Sequence, residues 1–272
     1  MKPGIYSLLI FLVLLSGCGE YEKLLKSTDY DLKKARAREY FEAGQFVKSS
    51  ELLGQILPRY RATEEAEELN MMNAKSYYGM KDYMTAGSYF KSYTDQYPYG
   101  KYAEEASFMS AMCDNNSSPR PQLDQQSTMA AYEGFNYFIT RYPNSPRVEE
   151  AKKLMNDLQE KLVEKSYLSA RLYYDMNQYK AAVVALSNAL KEYSQTKYRE
   201  EMMFLKLNSL YLYAENSLAN KQKERFQAAL DDYYSFMEEF PQSRFSKDVT
   251  KIYQDLGKYL KIDSEINEVN IQ

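Results

Sequence analysis

Residues 74–98, AKSYYGMKDYMTAGSYFKSYTDQYP, decide the fold. From Tyr83, the residues Ala86, Phe90, Tyr93 and Tyr97 follow at offsets of 3, 7, 10 and 14. Those offsets trace one face of an α-helix. Pro98 ends it, because proline has no N–H to carry the hydrogen-bond ladder onward. Upstream, Ala74 and the pair Tyr77-Tyr78 share a face of an earlier helix. The stretch therefore predicts helix–turn–helix, with a small residue where the two helices cross and aromatic rings filling the space between them.

The pattern recurs along the chain. Phe46, Tyr83, Thr128, Tyr179 and Phe226 mark five units. Three residues on stands Ser49, Ala86, Ala131, Ala182 or Ala229, and seven on stands Leu53, Phe90, Phe135, Leu186 or Tyr233. Ten on come Ile56, Tyr93, Phe138, Ala189 and Phe236; fourteen on come Tyr60, Tyr97, Tyr142, Tyr193 and Phe240. A small residue closes each unit at offset 17: Thr63, Gly100, Ser145, Thr196 and Ser243. In three units the preceding helix carries Ala37, Ala74 or Ala170, then Tyr40-Phe41, Tyr77-Tyr78 or Tyr173-Tyr174. Units of this kind resemble the tetratricopeptide repeat (TPR). The resemblance implies an all-α fold: a right-handed superhelical solenoid of about five TPR-like repeats with a concave face. A capping helix is predicted over Ser246 to Lys261. Polar stretches predict a loop over Asp114 to Ser127 and a long link around Glu215 to Glu224. Most of the 28 tyrosines fall at core offsets and read as packing rather than a ligand cage. Cys113 reads as a buried small residue on the first helix of the third unit.

The chain begins with a processing signal. Lys2 supplies a positive n-region, and Ile5 to Leu15 is apolar but too short for a bilayer, which needs about 20 residues. It ends in Leu15-Ser16-Gly17-Cys18, the arrangement a lipoprotein signal peptidase reads. Cys18 is thus the expected lipidation site and mature N-terminus, and Gly19 after it favours sorting to the outer membrane. More than one acyl chain holds stably where a single one does not. The expected organisation is 1–17 signal peptide, 18–28 lipidated N-terminus and linker, 29–145 repeats 1 to 3, 146–262 repeats 4 and 5 with the capping helix, and 263–272 a flexible tail.

Composition narrows the chemistry. A net charge of −3 without long like-charged blocks argues against nucleic acid as a partner. With no histidine, histidine-based triads and histidine metal sites are excluded. The ten glycines form no phosphate-cradling run. Glu64-Glu65-Ala66-Glu67-Glu68 reads as acidic residues complementing a helix N-terminus. No catalytic residue, metal site or cofactor is expected.

A lipobox, a short linker and five TPR-like units together resemble the BamD family of outer-membrane β-barrel assembly lipoproteins. Arg141-Tyr142-Pro143-Asn144-Ser145 carries part of the resemblance. The insertion with Arg120, Asp124-Gln125 and Ser127-Thr128 carries another part, and Tyr173-Tyr174 with Tyr179-Lys180-Ala181-Ala182 a third. Tyr193-Ser194-Gln195-Thr196 departs by lacking proline after the tyrosine, which weakens the helix stop there. The resemblance implies a non-enzymatic adaptor at the periplasmic face of the outer membrane. Its implied partners are a BamA-like barrel subunit, other assembly lipoproteins and the C-terminal strands of unfolded outer-membrane proteins. The C-terminal repeats, around Tyr167 to Phe245, are expected to hold the barrel subunit. Other readings are a tethered TPR scaffold for envelope or cell-division enzymes and a SusD-type glycan-binding lipoprotein. For a precursor groove, the residue after the core alanine is basic each time (Arg38, Lys75, Arg171), and an aromatic stands three residues further (Phe41, Tyr78, Tyr174). Lys34, Arg38, Phe41, Lys75 and Tyr78 are the expected groove residues, cations for a terminal carboxylate and rings for an apolar side chain.

Overall fold

The computed structural model describes residues 19–61 and 63–261, and these contain helices and no β-strand. Cys18, the signal peptide and the tail 263–272 lie outside the described residues. After a short helix over residues 19–26, the helices are in chain order α1 (Tyr30–Glu42), α2 (Phe46–Tyr60), α3 (Ala66–Gly79), α4 (Tyr83–Gln96), α5 (Ala103–Ser117) and α6 (Gln126–Arg141). They continue as α7 (Val148–Asp175), α8 (Tyr179–Glu192), α9 (Arg199–Glu215), α10 (Ala219–Glu239) and α11 (Ser246–Leu260). The described residues form two compact units that divide after Leu158, with residues 120–124 belonging to the second. The division falls inside α7, not at the 145/146 boundary drawn from the sequence. No proline or glycine interrupts residues 148–175, so nothing stops that helix.

Three of the helix pairs turn in the same way. Gly44, Lys81 and Asn177 each stand two residues before a unit mark, and each is left-handed, with φ of 70°, 62° and 60°. The next residue closes the turn by donating its backbone N–H five residues back: Gln45 to Tyr40 at 2.8 Å, Asp82 to Tyr77 at 3.1 Å, Gln178 to Tyr173 at 2.9 Å. A left-handed residue followed by such a bond is a Schellman stop, which satisfies carbonyls the ending helix leaves open. Across each turn the second aromatic of the pair meets the unit mark: Phe41 with Phe46 at 5.7 Å, Tyr78 with Tyr83 at 5.4 Å and Tyr174 with Tyr179 at 6.1 Å.

The core follows the repeat offsets. Ala37, Ala74, Ala86, Ala131, Ala182 and Ala229 are fully or almost fully buried, as are Leu53, Phe90, Phe135 and Leu186. Tyr233 is only half-buried. In the first unit, Phe108 packs against Phe135 and Phe138 at 5.6 and 5.3 Å. A Cβ on Gly134 would stand 2.9 Å from that of Ala111, so α5 and α6 approach closely there. In the second unit a continuous apolar core includes Tyr167, Leu186, Leu207, Phe226 and Leu256.

Three boundaries differ from the sequence reading. Residues 114–117 continue α5 and helix resumes at Gln126, so the loop is 118–125. Residues 219–224 are the start of α10, leaving 216–218 as the link; polar residues such as Lys221, Gln222 and Glu224 suit an exposed helical surface as well as a loop. Residues 19–26 are helical rather than an open linker. The stop at Tyr193 keeps its place without proline: α8 ends at Glu192, and the Tyr193 N–H bonds the Ala189 carbonyl as its counterparts do.

Candidate functional site

Arg38 and Phe41 of α1, Glu68, Met72 and Lys75 of α3, and Tyr102 line a cleft of about 230 Å³ in the first unit. Of the five groove residues read from the sequence, the structure brings Arg38, Phe41 and Lys75 together here. Lys34 and Tyr78 lie outside it. Phe41 and Met72 supply an apolar wall, so the cleft offers both an apolar surface and charged groups.

The basic residues expected for the groove already have carboxylate partners. Arg38 reaches Glu68 at 3.0 Å and Glu65 at 3.4 Å, Lys34 reaches Glu65 at 2.7 Å, and Lys75 reaches Glu105 at 2.7 Å. Burial alone would lower the Arg38 pKa, but Glu68 and Glu65 outweigh it and the net shift is upward. The hydrogen bond from Lys34 draws Glu65 below the usual glutamate range. In the second unit Arg171 meets Glu201 at 3.0 Å. Arg38–Glu68, Lys75–Glu105 and Arg171–Glu201 all span thirty residues. The recurring basic position therefore ties the first helix of one repeat to the helix that begins the next.

The acidic pairs at those helix starts do more than complement the helix dipole. The neighbouring glutamate hooks the loop beyond. Glu67 accepts from the Tyr93 hydroxyl at 2.7 Å and the Lys101 N–H at 2.8 Å. Glu104 accepts from Ser145 at 2.6 Å, and Glu200 from Ser243 at 2.7 Å and the Arg244 N–H at 3.0 Å. Offset 17 is small because the hook closes on it: a Cβ on Gly100 would stand 2.5 Å from the Glu67 carboxylate. Tyr78 likewise serves the next helix, accepting from Asn116 at 3.0 Å as Tyr174 accepts from Asn208 at 2.7 Å.

A larger groove, about 670 Å³, lies within the second unit. Tyr174, Asn208, Tyr211, Glu215, Asp248 and Asp255 line it, with Lys251 also on its wall. Burial, and then the charge of Glu215, pushes the Tyr211 hydroxyl up to about 12. Sequence reasoning missed this groove because three separate helices build it. Among the described residues no helix is long and apolar enough to cross a membrane.

Helix pairs joined by the same recurring turns and ion pairs define a helical-repeat protein, with a cleft in the first unit and a larger groove in the second. The outer membrane lipoprotein family YfiO matches residues 34–225, and the chain belongs to that family. The outer membrane protein assembly factor BamD of Neisseria meningitidis serogroup B is 25% identical over 252 residues, covering 86% of this chain and 90% of that protein. BamD of Vibrio cholerae serotype O1 is 22% identical over 219 residues, covering 77% and 91%. Among solved structures, the TPR2AB domain of yeast Sti1 in its HSP90 complex aligns at a TM-score of 0.37 and 13% identity, covering 84% of this chain and 98% of that one.

Proposed function

We propose that the chain is a non-enzymatic outer-membrane protein assembly factor. In this reading Cys18 carries the lipid, and the repeats face the periplasm. They join a BamA-like barrel subunit and other assembly lipoproteins and receive unfolded β-barrel precursors. The family match, which runs through both helical units, carries the reading. The cleft of the first unit suits the end of a precursor strand, an aromatic residue bearing a free carboxylate. Phe41, Met71 and Met72 would meet the ring; Arg38 and Lys75 would meet the carboxylate by exchanging away from Glu68 and Glu105. The groove of the second unit, walled by Tyr211, Glu215 and Asp255, suits a basic and apolar segment of the barrel subunit.

Because the internal glutamates compete for the cations, the cleft makes an unusual demand on binding. Charge-assisted hydrogen bonds contribute roughly 1.5–3 kcal/mol each, and the exchange cancels part of that. Titrating a fluorescent C-terminal strand peptide tests it. Arg38→Gln with Lys75→Gln should weaken binding by about tenfold or more, and amidating the peptide should weaken the parent comparably. Glu68→Gln with Glu105→Gln should tighten it, since the cations lose their internal partners. Equal affinity for free acid and amide would remove the carboxylate from the reading.

A further inference from the structure

The N-terminal end of the described chain is pinned to the first repeat. The Tyr21 hydroxyl bonds the Glu51 carboxylate at 2.7 Å and lies 3.3 Å from the Lys48 carbonyl. Its ring packs edge-on against Tyr40 at 5.6 Å, and the Lys48 ammonium lies over both rings, at 5.4 and 5.1 Å. Leu24 and Leu25 pack on the cluster that holds Ala37, Leu52, Leu53 and Ile56. Lys33, only 4% exposed, donates to the Leu25 carbonyl at 3.0 Å and to Gln55 at 2.6 Å. A cation at that carbonyl complements the C-terminal end of the 19–26 helix and satisfies an open acceptor.

The pinning sets a distance. Cys18 is three positions before Tyr21, and a chain extends at most about 3.6 Å per residue, so a lipid on Cys18 would attach within about 11 Å of Tyr21. Tyr21 packs on Tyr40 of α1, and the same end of that helix carries Arg38 and Phe41 into the cleft.

We infer that the first repeat is a membrane-facing surface, held by this docked segment at the level of the lipid headgroups rather than hung from a loose tether. The inference rests on lipidation of Cys18, as proposed above. It places the cleft near the bilayer surface, because the lipid would attach within about 11 Å of Tyr21 and Tyr21 packs on Tyr40, beside Arg38 and Phe41. A barrel precursor engaged there stays next to the membrane it must enter.

The chain has no tryptophan, so Val47→Trp, at a position 65% exposed on α2, gives a single donor on the body of the repeat. The lipidated full chain is bound to phosphatidylethanolamine and phosphatidylglycerol vesicles containing a headgroup-dansylated lipid, and energy transfer is read. A twenty-residue Gly/Ser insertion between Cys18 and Gly19 adds a coil of about 25 Å. It should cut the transfer about threefold or more while co-flotation with vesicles is unchanged. Tyr21→Ala with Lys33→Gln, checked by circular dichroism for retained fold, should also cut it. Transfer that the insertion leaves unchanged would overturn the docked geometry. A parent that does not float would overturn the lipidation reading and this inference with it, an outcome the flotation arm separates from the first.

Discussion

Lys81 occupies a position that glycine fills at residue 44 and asparagine at residue 177, and all three are left-handed. For a residue with a Cβ that conformation costs roughly 1–2 kcal/mol, while glycine adopts it freely but loses more chain entropy on folding. Lys81→Gly should therefore stabilise the protein by a net of about 0.5–1 kcal/mol, read as a higher urea midpoint. A lowered midpoint would mean that the Lys81 side chain contributes more than its backbone strain costs. The rule of small residues has a similar origin. Gly100 is small because Glu67 and Tyr93 close around it, and Ala131 and Gly134 sit where α6 crosses α5. Cys113 is buried, and burial followed by the charge of Asp114 pushes its thiol up to about 12, in keeping with a packing role.

At the scale of helices, the core faces were legible in the sequence because packing imposes one period on each helix. Ala86, Phe90 and Tyr93 fall where their spacing puts them, all buried. The loop bounds were not legible, because surface residues such as Lys221 and Glu224 serve an exposed helix as well as a link. The basic position of the proposed groove was legible too, but its partners were not. Glu68, Glu105 and Glu201 lie thirty residues away on another helix, beyond the reach of single-helix periodicity. These pairs are partly exposed, so each is worth only about 0.2–1 kcal/mol. A double-mutant cycle with Lys75→Met and Glu105→Gln should return a coupling in that range by thermal or urea unfolding. A coupling of zero would make the thirty-residue spacing a geometric by-product. The α9–α10 pair gives a pH test. Arg199 hydrogen bonds to Glu239 and holds that carboxyl below the ordinary value of 4.5. A depressed folded pKa means the stabilisation is fully present above 4.5 and is lost as pH falls through the folded value. Glu239→Gln should thus cost roughly 0.2–1 kcal/mol at neutral pH, discounted for exposure, and almost nothing once the pH is below the folded value. A cost that is the same at both pH values would locate the effect in packing.

For the whole molecule, the repeat and the lipobox made the family legible, while the shape and charge of the surfaces in the two units were not. The first unit contains a small cleft whose charges are internally matched, and the second a larger groove with Glu215, Asp248 and Asp255 on its walls. Fold alone does not assign function; the family match supports an outer-membrane assembly factor, and the proposed hold on a barrel subunit and a precursor rests on these two surfaces. The most direct measurement is affinity purification of the full-length tagged chain from mildly solubilised outer membranes, followed by mass spectrometry. The account predicts a β-barrel subunit with periplasmic domains in near-equal amount, lost when Glu215→Lys and Asp255→Lys are introduced together while the chain itself remains folded. Recovery of envelope-synthesis or glycan-binding proteins with no such barrel subunit would contradict it.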